Sequence, residues 1–246
     1  MKALILAAGY ATRLYPLTKE YPKPLLTVGQ RPIIDYIIDK LQNLDDVDEI
    51  IVVTNSKFIS TFRKWQASLR IQKRISLVDD LTRSHSDRLG AIGDVNFVIN
   101  KKRIKDDLLI IGGDNLFDGD LEDFLLFSKA NKGKPVIGAY NIKDIHEAKK
   151  YGVIKLNSKF KVIDFKEKPA NPKSTLVAMC LYCFPKEKLK LIKEYLNTKT
   201  NKYDATGFYI DWLRKKEKVF GFVFNGRWYD IGHHKFYHEA KEKFSK

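Results

Sequence analysis

Residues 1–26 read MKALILAAGYATRLYPLTKEYPKPLL, and the order of residue types in them decides the fold. Ala3 to Ala8 is an unbroken apolar run closed by Gly9. A strand without polar alternation must be covered on both faces, as at the centre of a parallel sheet. Arg13, Lys19 and Lys23 follow, framed by Pro16, Pro22 and Pro24, before any amphipathic helix begins. These cations therefore sit in a long loop at the carboxyl end of a central strand.

Working outward, apolar residues at Ile33, Ile34, Ile37, Ile38, Leu41 and Leu44 have helical spacing, with Pro32 suited to the first turn. EIIVVTN (49–55) is a second apolar run, and Phe58, Phe62, Trp65 and Leu69 mark a second helix. The alternation continues with ISLVDD as a strand, a helix from Leu89 to Asn100, a strand at DLLII (107–111), a helix from Leu121 to Ala130 and a strand from Pro135 to Tyr140. YGVIKL and KVIDFKE then read as a hairpin turning at Asn157 and Ser158. The strand TLVAMCLYCFP, helices at Leu189 to Leu196 and Asp211 to Lys216, a strand from Val219 to Phe224 and a terminal helix complete the chain. The class expected is α/β, a mostly parallel central sheet with a small antiparallel β insertion in the second half. No Pro/Gly/Ser linker divides the 246 residues, so a single domain is expected over 1–246.

With 44% hydrophobic residues the chain can bury a large core, and no repeat or low-complexity tract points to a solenoid. The formal net charge of +15 asks for an anionic partner. No run of basic and aromatic residues forms a nucleic-acid platform, and much of the Lys alternates with Glu on helix faces, so no nucleic-acid partner is expected. No window approaches the roughly 18 apolar residues of a membrane span, and no basic leader with an A-x-A site precedes the first strand, so no membrane partner and a cytoplasmic location are expected. Cys180 and Cys183 have C-x-x-C spacing, but on a strand they point to opposite faces and cannot share a metal, so they read as core cysteines.

Ligands of open sheets sit beyond the carboxyl ends of the strands, which selects four loops. In AAGYATRL, the small residues Ala7, Ala8, Gly9 and Ala11 let backbone approach an anion, Gly9 is free to take positive φ, and Arg13 adds charge. Neither G-x-G-x-x-G nor G-x-x-x-x-G-K-[ST] is present, so the loop reads either as ordinary turn chemistry or as a phosphate loop of another kind. IIGGDN places Asp114 and Asn115 after a strand, where a carboxylate can share a divalent cation with phosphate oxygens or simply close a turn. DFKEKP puts Glu167 beside Lys168, an acceptor for hydroxyls next to a cation for phosphate, or a surface ion pair. GRWYDIG offers Asp230 as a second metal carboxylate. His234 and His238 lack the Glu of H-E-x-x-H and read as structural.

Taken together, LILAAGYATRLYPLTKEYPKPLL, RLGAIGD, GGDN, YGV, DFKEKP and WYDIG resemble, in order and spacing, the sugar-phosphate nucleotidyltransferase superfamily, most closely short glucose-1-phosphate thymidylyltransferase-type enzymes. The resemblance implies a Rossmann-like three-layer sandwich whose residues 1–140 bind nucleotide and 141–246 bind sugar. It implies that Ala7 to Thr12 wrap the nucleotide, that Arg13 and Lys23 act on its phosphates, and that Asp114 and Asp230 bind Mg²⁺. Gly152, Glu167 and Asn115 would hold a sugar and Lys168 its phosphate. The partners implied are a nucleoside triphosphate and a sugar 1-phosphate, joined with release of pyrophosphate. The chain departs from the pattern in the base loop, where His85 stands five residues before Gly90 in place of Gln. That departure leaves the base open and admits an alternative, a CTP-dependent cytidylyltransferase for a phosphorylated alcohol such as phosphocholine. Ending at Lys246, the chain leaves no room for the β-helix acyltransferase domain of bifunctional relatives, so only the transferase step is expected. The sugar and the oligomeric state are not legible.

Overall fold

Burial on both faces of β1 (Lys2–Leu6) organises the molecule, because Ala3 and Ile5 face one apolar layer and Leu4 the other. The computed structural model describes residues 1–198, 205–231, 237, 238 and 240–242. After β1 come the short strands β2 (Thr27–Val28) and β3 (Arg31–Pro32), α1 (Ile33–Gln42), β4 (Glu49–Thr54), α2 (Ile59–Ser68), β5 (Arg74–Asp79), α3 (Ala91–Lys102) and β6 (Leu108–Gly112). Next are β7 (Asn115–Phe117), α4 (Leu121–Ala130), β8 (Val136–Asn141), α5 (Ile145–Ala148), β9 (Gly152–Leu156), β10 (Val162–Glu167) and β11 (Leu176–Phe184). The chain continues through α6 (Lys190–Leu196), α7 (Thr206–Lys216), β12 (Phe220–Phe224) and β13 (Trp228–Asp230).

Among the described residues nine strands form one sheet in the order β10-β9-β11-β6-β1-β4-β5, with β8 pairing both β11 and β12. Strands β6, β1, β4 and β5 are parallel neighbours, and β12 runs parallel to β8. Side chains of α1, α2 and α4 (Ile37, Phe62, Phe124) pack one face. Those of α3, α6 and α7 (Val95, Ile192, Leu213) pack the other. This is the expected three-layer arrangement of a mostly parallel sheet. No described helix is long and apolar enough to cross a membrane.

The chain passes from β1 through β4 to β5 on one side, then returns to β6 on the other side of β1. Sheet order reverses there, and the crevice between the carboxyl ends of β1 and β6 is where a ligand fits such a sheet. Close packing of those two ends accounts for Gly113. A Cβ on Gly113 would lie 2.8 Å from Leu6 O and 3.1 Å from Pro24 Cγ, so the proline-framed loop can dock only against glycine.

Three local expectations change. The hairpin between β9 and β10 does not turn on Asn157 and Ser158 alone. Asn157 Oδ1 accepts from the amides of Lys159 and Lys161, and Phe160 adopts φ 59°, which makes a five-residue loop. Helix α7 starts at Thr206, five residues before the expected start at Asp211, because Tyr209, Ile210 and Leu213 bury one face. Packing thus overrides the weak helix preference of the ATGFYI stretch. Finally β11 is bulged between Ala178 and Tyr182, with Cys180 at φ 52°. Both cysteines are free, and they pack on opposite faces of the sheet.

Candidate active site

Loop geometry after β1 differs from the sequence expectation in one respect. Positive φ falls on Ala11 (46°) and not on Gly9, and Ala11 caps the turn Thr12–Leu14 while its carbonyl accepts from Thr18 Oγ1 at 2.7 Å. Gly9 serves by its missing side chain: a Cβ there would meet no protein atom within 4 Å, so open space lies against the backbone. Ala7 and Ala8 are buried and fixed by Ala7 N to Val53 O (2.9 Å) and Asn55 Nδ2 to Ala8 O (2.8 Å). Thr12 and Arg13 are exposed beyond them.

A cavity of about 260 Å³ opens at the switch point. Arg13, Lys23, Asp114 and Asp230 line one side of it, and Gly152, Glu167 and Lys168 another. Lys23, in the turn Lys23–Leu25, donates to Asp114 Oδ2. Asp230 arrives from the far end of the chain through a two-stranded antiparallel sheet in which β13 pairs β7, with Asp230 opposite Asn115. That register places the two carboxylates on one cavity. Burial and the neighbouring Asp114 charge hold the Asp230 carboxyl well above the usual carboxylate range, against the opposing pull of Lys23, Arg13 and Lys168.

Two carboxylates that repel one another, with an ammonium on one of them, mark a place where positive charge is favoured. An all-oxygen donor pair suits a hard divalent cation that takes its remaining ligands from water and phosphate, which fits Mg²⁺. The described residues hold no cluster of three or more His, Cys, Asp or Glu of the kind a protein-only metal cage needs.

Asn115 lines the cavity, yet its carboxamide is engaged by protein. Its Nδ2 donates to the carbonyls of Met179 and Cys180, and its Oδ1 accepts from Trp228 Nε1 at 2.8 Å. These bonds stitch β7 to β11 and β13, so Asn115 positions the carboxylates beside it. Glu167 is only 9% exposed, whereas Lys168 is 51% exposed, with 3.9 Å between Nζ and Oε1. Burial raises the Glu167 carboxyl above its ordinary value, partly offset by Lys168.

Gly152 and Gly207 make room for that carboxylate. A Cβ on Gly152 would lie 3.0 Å from Glu167 Oε2, and one on Gly207 only 1.9 Å from it. Gly207, in the first turn of α7, was not singled out from the sequence, nor were Thr206 and Tyr182, which also line the cavity; Cys180, read as a core cysteine, lines it as well. Tyr182 and Thr206 hydroxyls meet at 2.6 Å. A Gly within a helix is unfavourable unless something approaches closely, and that was the available signal. Gly207→Ala should therefore push Glu167 out of place and cost about 1–3 kcal/mol of stability, as overpacking does, which urea denaturation checks.

His85 is exposed on the 81–89 loop and edge-on to Tyr10 at 6.3 Å, outside the cavity lining. Asp87 ties this loop by accepting from the amides of Arg83 (3.0 Å) and Ser84 (2.7 Å). Gly90 (φ 75°) starts α3, and its neighbour Ala91 reaches the cavity. His234 lies outside the described residues, and His238 is exposed against Tyr237.

The chain is similar to several known proteins. Bifunctional protein GlmU of Methanocaldococcus jannaschii is 31% identical over 232 residues, covering 94% of this chain and 51% of that protein. Glucose-1-phosphate adenylyltransferase of Mycoplasma mobile is 29% identical over 98% of this chain and 66% of its own. The chain thus spans about half the length of the GlmU relative it matches. Two solved structures share the fold: a UDP-glucose pyrophosphorylase complexed with UDP-glucose (TM-score 0.81, 20% identity, 99% of this chain and 97% of that one) and a candidate glucose-1-phosphate thymidylyltransferase from Bacillus anthracis in complex with a sucrose (TM-score 0.82, 23% identity, 100% and 96%). The family model described as nucleotidyl transferase matches residues 2–246, and a match over that length means that the chain belongs to the nucleotidyl transferase family.

Proposed function

We propose that the protein transfers a nucleotidyl group from a nucleoside triphosphate to a sugar 1-phosphate, giving a nucleoside diphosphate sugar and pyrophosphate. The observation that carries this reading is the convergence of Arg13, Lys23, Asp114 and Asp230 on one side of a cavity, with Glu167 and Lys168 on another. Attack of one phosphate on another brings two anions together and asks little covalent help of the protein. It asks for cations and for geometry that holds the attack in line. Arg13 and Lys23 would meet the triphosphate, and Lys168 the acceptor phosphate. Glu167 would accept hydrogen bonds from the acceptor's hydroxyls across from Gly152. Asp114 and Asp230 would hold Mg²⁺, which would supply Lewis-acid neutralisation of phosphate charge. The open backbone at Ala7 to Thr12 would take the nucleotide, with Gly90 close to the base. Residues up to about 140 then serve the nucleotide and the later ones the acceptor.

Incubation with Mg²⁺, each of four triphosphates and a panel of sugar 1-phosphates, while following pyrophosphate, tests the proposal. Release by at least one pair is expected, and none from any pair would refute it. The triphosphate that most raises Tm with Mg²⁺ identifies the base, since native-state binding stabilises by mass action.

Glu167 adds a pH dependence with a definite sign. A carboxyl whose folded pKa is raised holds its proton more tightly when folded, so its ionisation costs stability as pH rises through that window. Acceptor binding runs the other way, because only the ionised form accepts from hydroxyls with both oxygens. Acceptor kcat/KM should therefore fall on the acid side with a midpoint above that of an ordinary Glu, and Glu167→Gln should remove that limb. A limb that survives the substitution belongs to another group.

A further inference from the structure

Beside the candidate active site lies a second cavity of about 250 Å³ that the proposed reaction does not use. Tyr151, Trp228 and Asp230 line both cavities, so the two adjoin. Tyr140, Tyr229 and Ile142 complete an aromatic wall. The rings do not collapse into a stack. Trp228 has its centroid 5.5 Å from Tyr140 and 5.3 Å from Tyr151, inclined 56° to each, so both tyrosine rings lie against it at a tilt. They are also fixed in advance: the Tyr140 hydroxyl donates to Gly226 O at 3.0 Å and the Trp228 indole to Asn115 at 2.8 Å. A site built this way loses little freedom when filled.

Charge selects the occupant. Arg227 reaches this cavity, but its Nε donates to Asp118 Oδ2 at 2.9 Å and its charge is met there. Glu147 lines it too, but Lys150 meets its charge at 2.7 and 2.9 Å, so Asp230 is the lining carboxylate that adds negative charge. Both Tyr140 and Tyr151 phenols are raised, first by burial and then by nearby carboxylates: Asp118 for Tyr140, and Asp230, Glu147 and Asp114 for Tyr151. Negative potential at the ring edges repels an anion. A soft organic cation, by contrast, is attracted to ring faces and to the potential alike.

We propose that this cavity holds an organic ammonium group and that the phosphorylated acceptor carries one, as a phosphorylated amino alcohol or an amino sugar phosphate would. The second half of the proposal rests on the transferase reading given above; the first half does not.

The test therefore begins without nucleotide. Tryptophan fluorescence is followed while tetramethylammonium or choline chloride is added, against sodium chloride at matched ionic strength. Saturable quenching by the ammonium ions alone is expected. In Tyr140→Leu it should weaken at least about tenfold, and in Tyr140→Phe, which keeps the ring, it should persist. Melting temperatures of both variants report whether the fold is kept. A response identical to that of sodium, or one equal in Tyr140→Leu and the unsubstituted protein, overturns the assignment.

The second arm compares choline phosphate, glucosamine 1-phosphate and glucose 1-phosphate with Mg²⁺ and the preferred triphosphate. An ammonium-bearing acceptor should be favoured over glucose 1-phosphate at least about tenfold in kcat/KM, and Tyr140→Leu should erase the preference. Turnover of glucose 1-phosphate with no cation binding removes the proposal and leaves the transferase reading standing. Saturable cation binding with no pyrophosphate from any pair does the reverse.

Discussion

Asp114→Ala should lose at least about 1,000-fold in kcat and keep its fold, a combination that follows from where the carboxylate sits. Its side chain is 32% exposed and closes no core contact, so its removal leaves no cavity. Without Mg²⁺ two effects oppose, since Asp230 loses a like-charged neighbour while Lys23, 11% exposed, loses its partner, so the melting temperature should shift by only a few degrees. The chemical step loses on two counts. One of the two carboxylates proposed for the metal is gone, and Lys23, which donates to Asp114 Oδ2, loses the partner that aims its ammonium into the cavity. Pyrophosphate release under saturating substrates measures the first claim, and Tm with and without Mg²⁺ measures the second. A Mg²⁺-dependent rise in Tm with nucleotide should also shrink. Near-normal turnover would move the metal elsewhere.

The contrast between Asp114 and Asp230 bears on what a sequence can reveal. Each follows a strand, and each reads as a metal carboxylate by type and place. What brings them together is the pairing of β13 with β7, in which Asp230 stands opposite Asn115. Such pairing is decided by tertiary packing between distant segments, and neither segment carries a local signal for it. Local rules succeeded where burial is dictated by the chain itself: the unbroken apolar runs of β1, β4 and β6 could only be central parallel strands. They failed where a conformation is imposed from outside. Ala11, with a Cβ that disfavours the left-handed region, takes the positive φ expected of Gly9, held by the Thr18 bond to its carbonyl. Gly207, which the sequence did not single out, stands in the first turn of α7 because Glu167 needs the volume a side chain would fill. Asn115 had the right place for a ligand contact but is spent on Met179, Cys180 and Trp228, and those partners were invisible before the strands were paired.

Arg13→Ala should lower kcat/KM for the triphosphate at least about 100-fold, as expected when a preorganised charge partner of a developing anion is removed. Arg13 stands in the turn Thr12–Leu14 with Leu14 buried beneath it, so its backbone is anchored while its side chain remains exposed at the cavity. The Thr18 bond to Ala11 O does not depend on it, and the loop should therefore survive the truncation. Arg13→Lys separates charge from shape. An ammonium restores a point charge but not the paired donors of a guanidinium, so partial recovery is expected, to within about tenfold to thirtyfold of the unsubstituted enzyme. The loss should appear mainly in triphosphate kcat/KM and should grow at high salt in Arg13→Lys, where a screened point charge replaces a bidentate contact. Acceptor KM should hardly move, since Lys168 and Glu167 approach from another side of the cavity. A loss below tenfold in Arg13→Ala, or one confined to the acceptor, would place the triphosphate away from this loop and leave Lys23 as its principal cation.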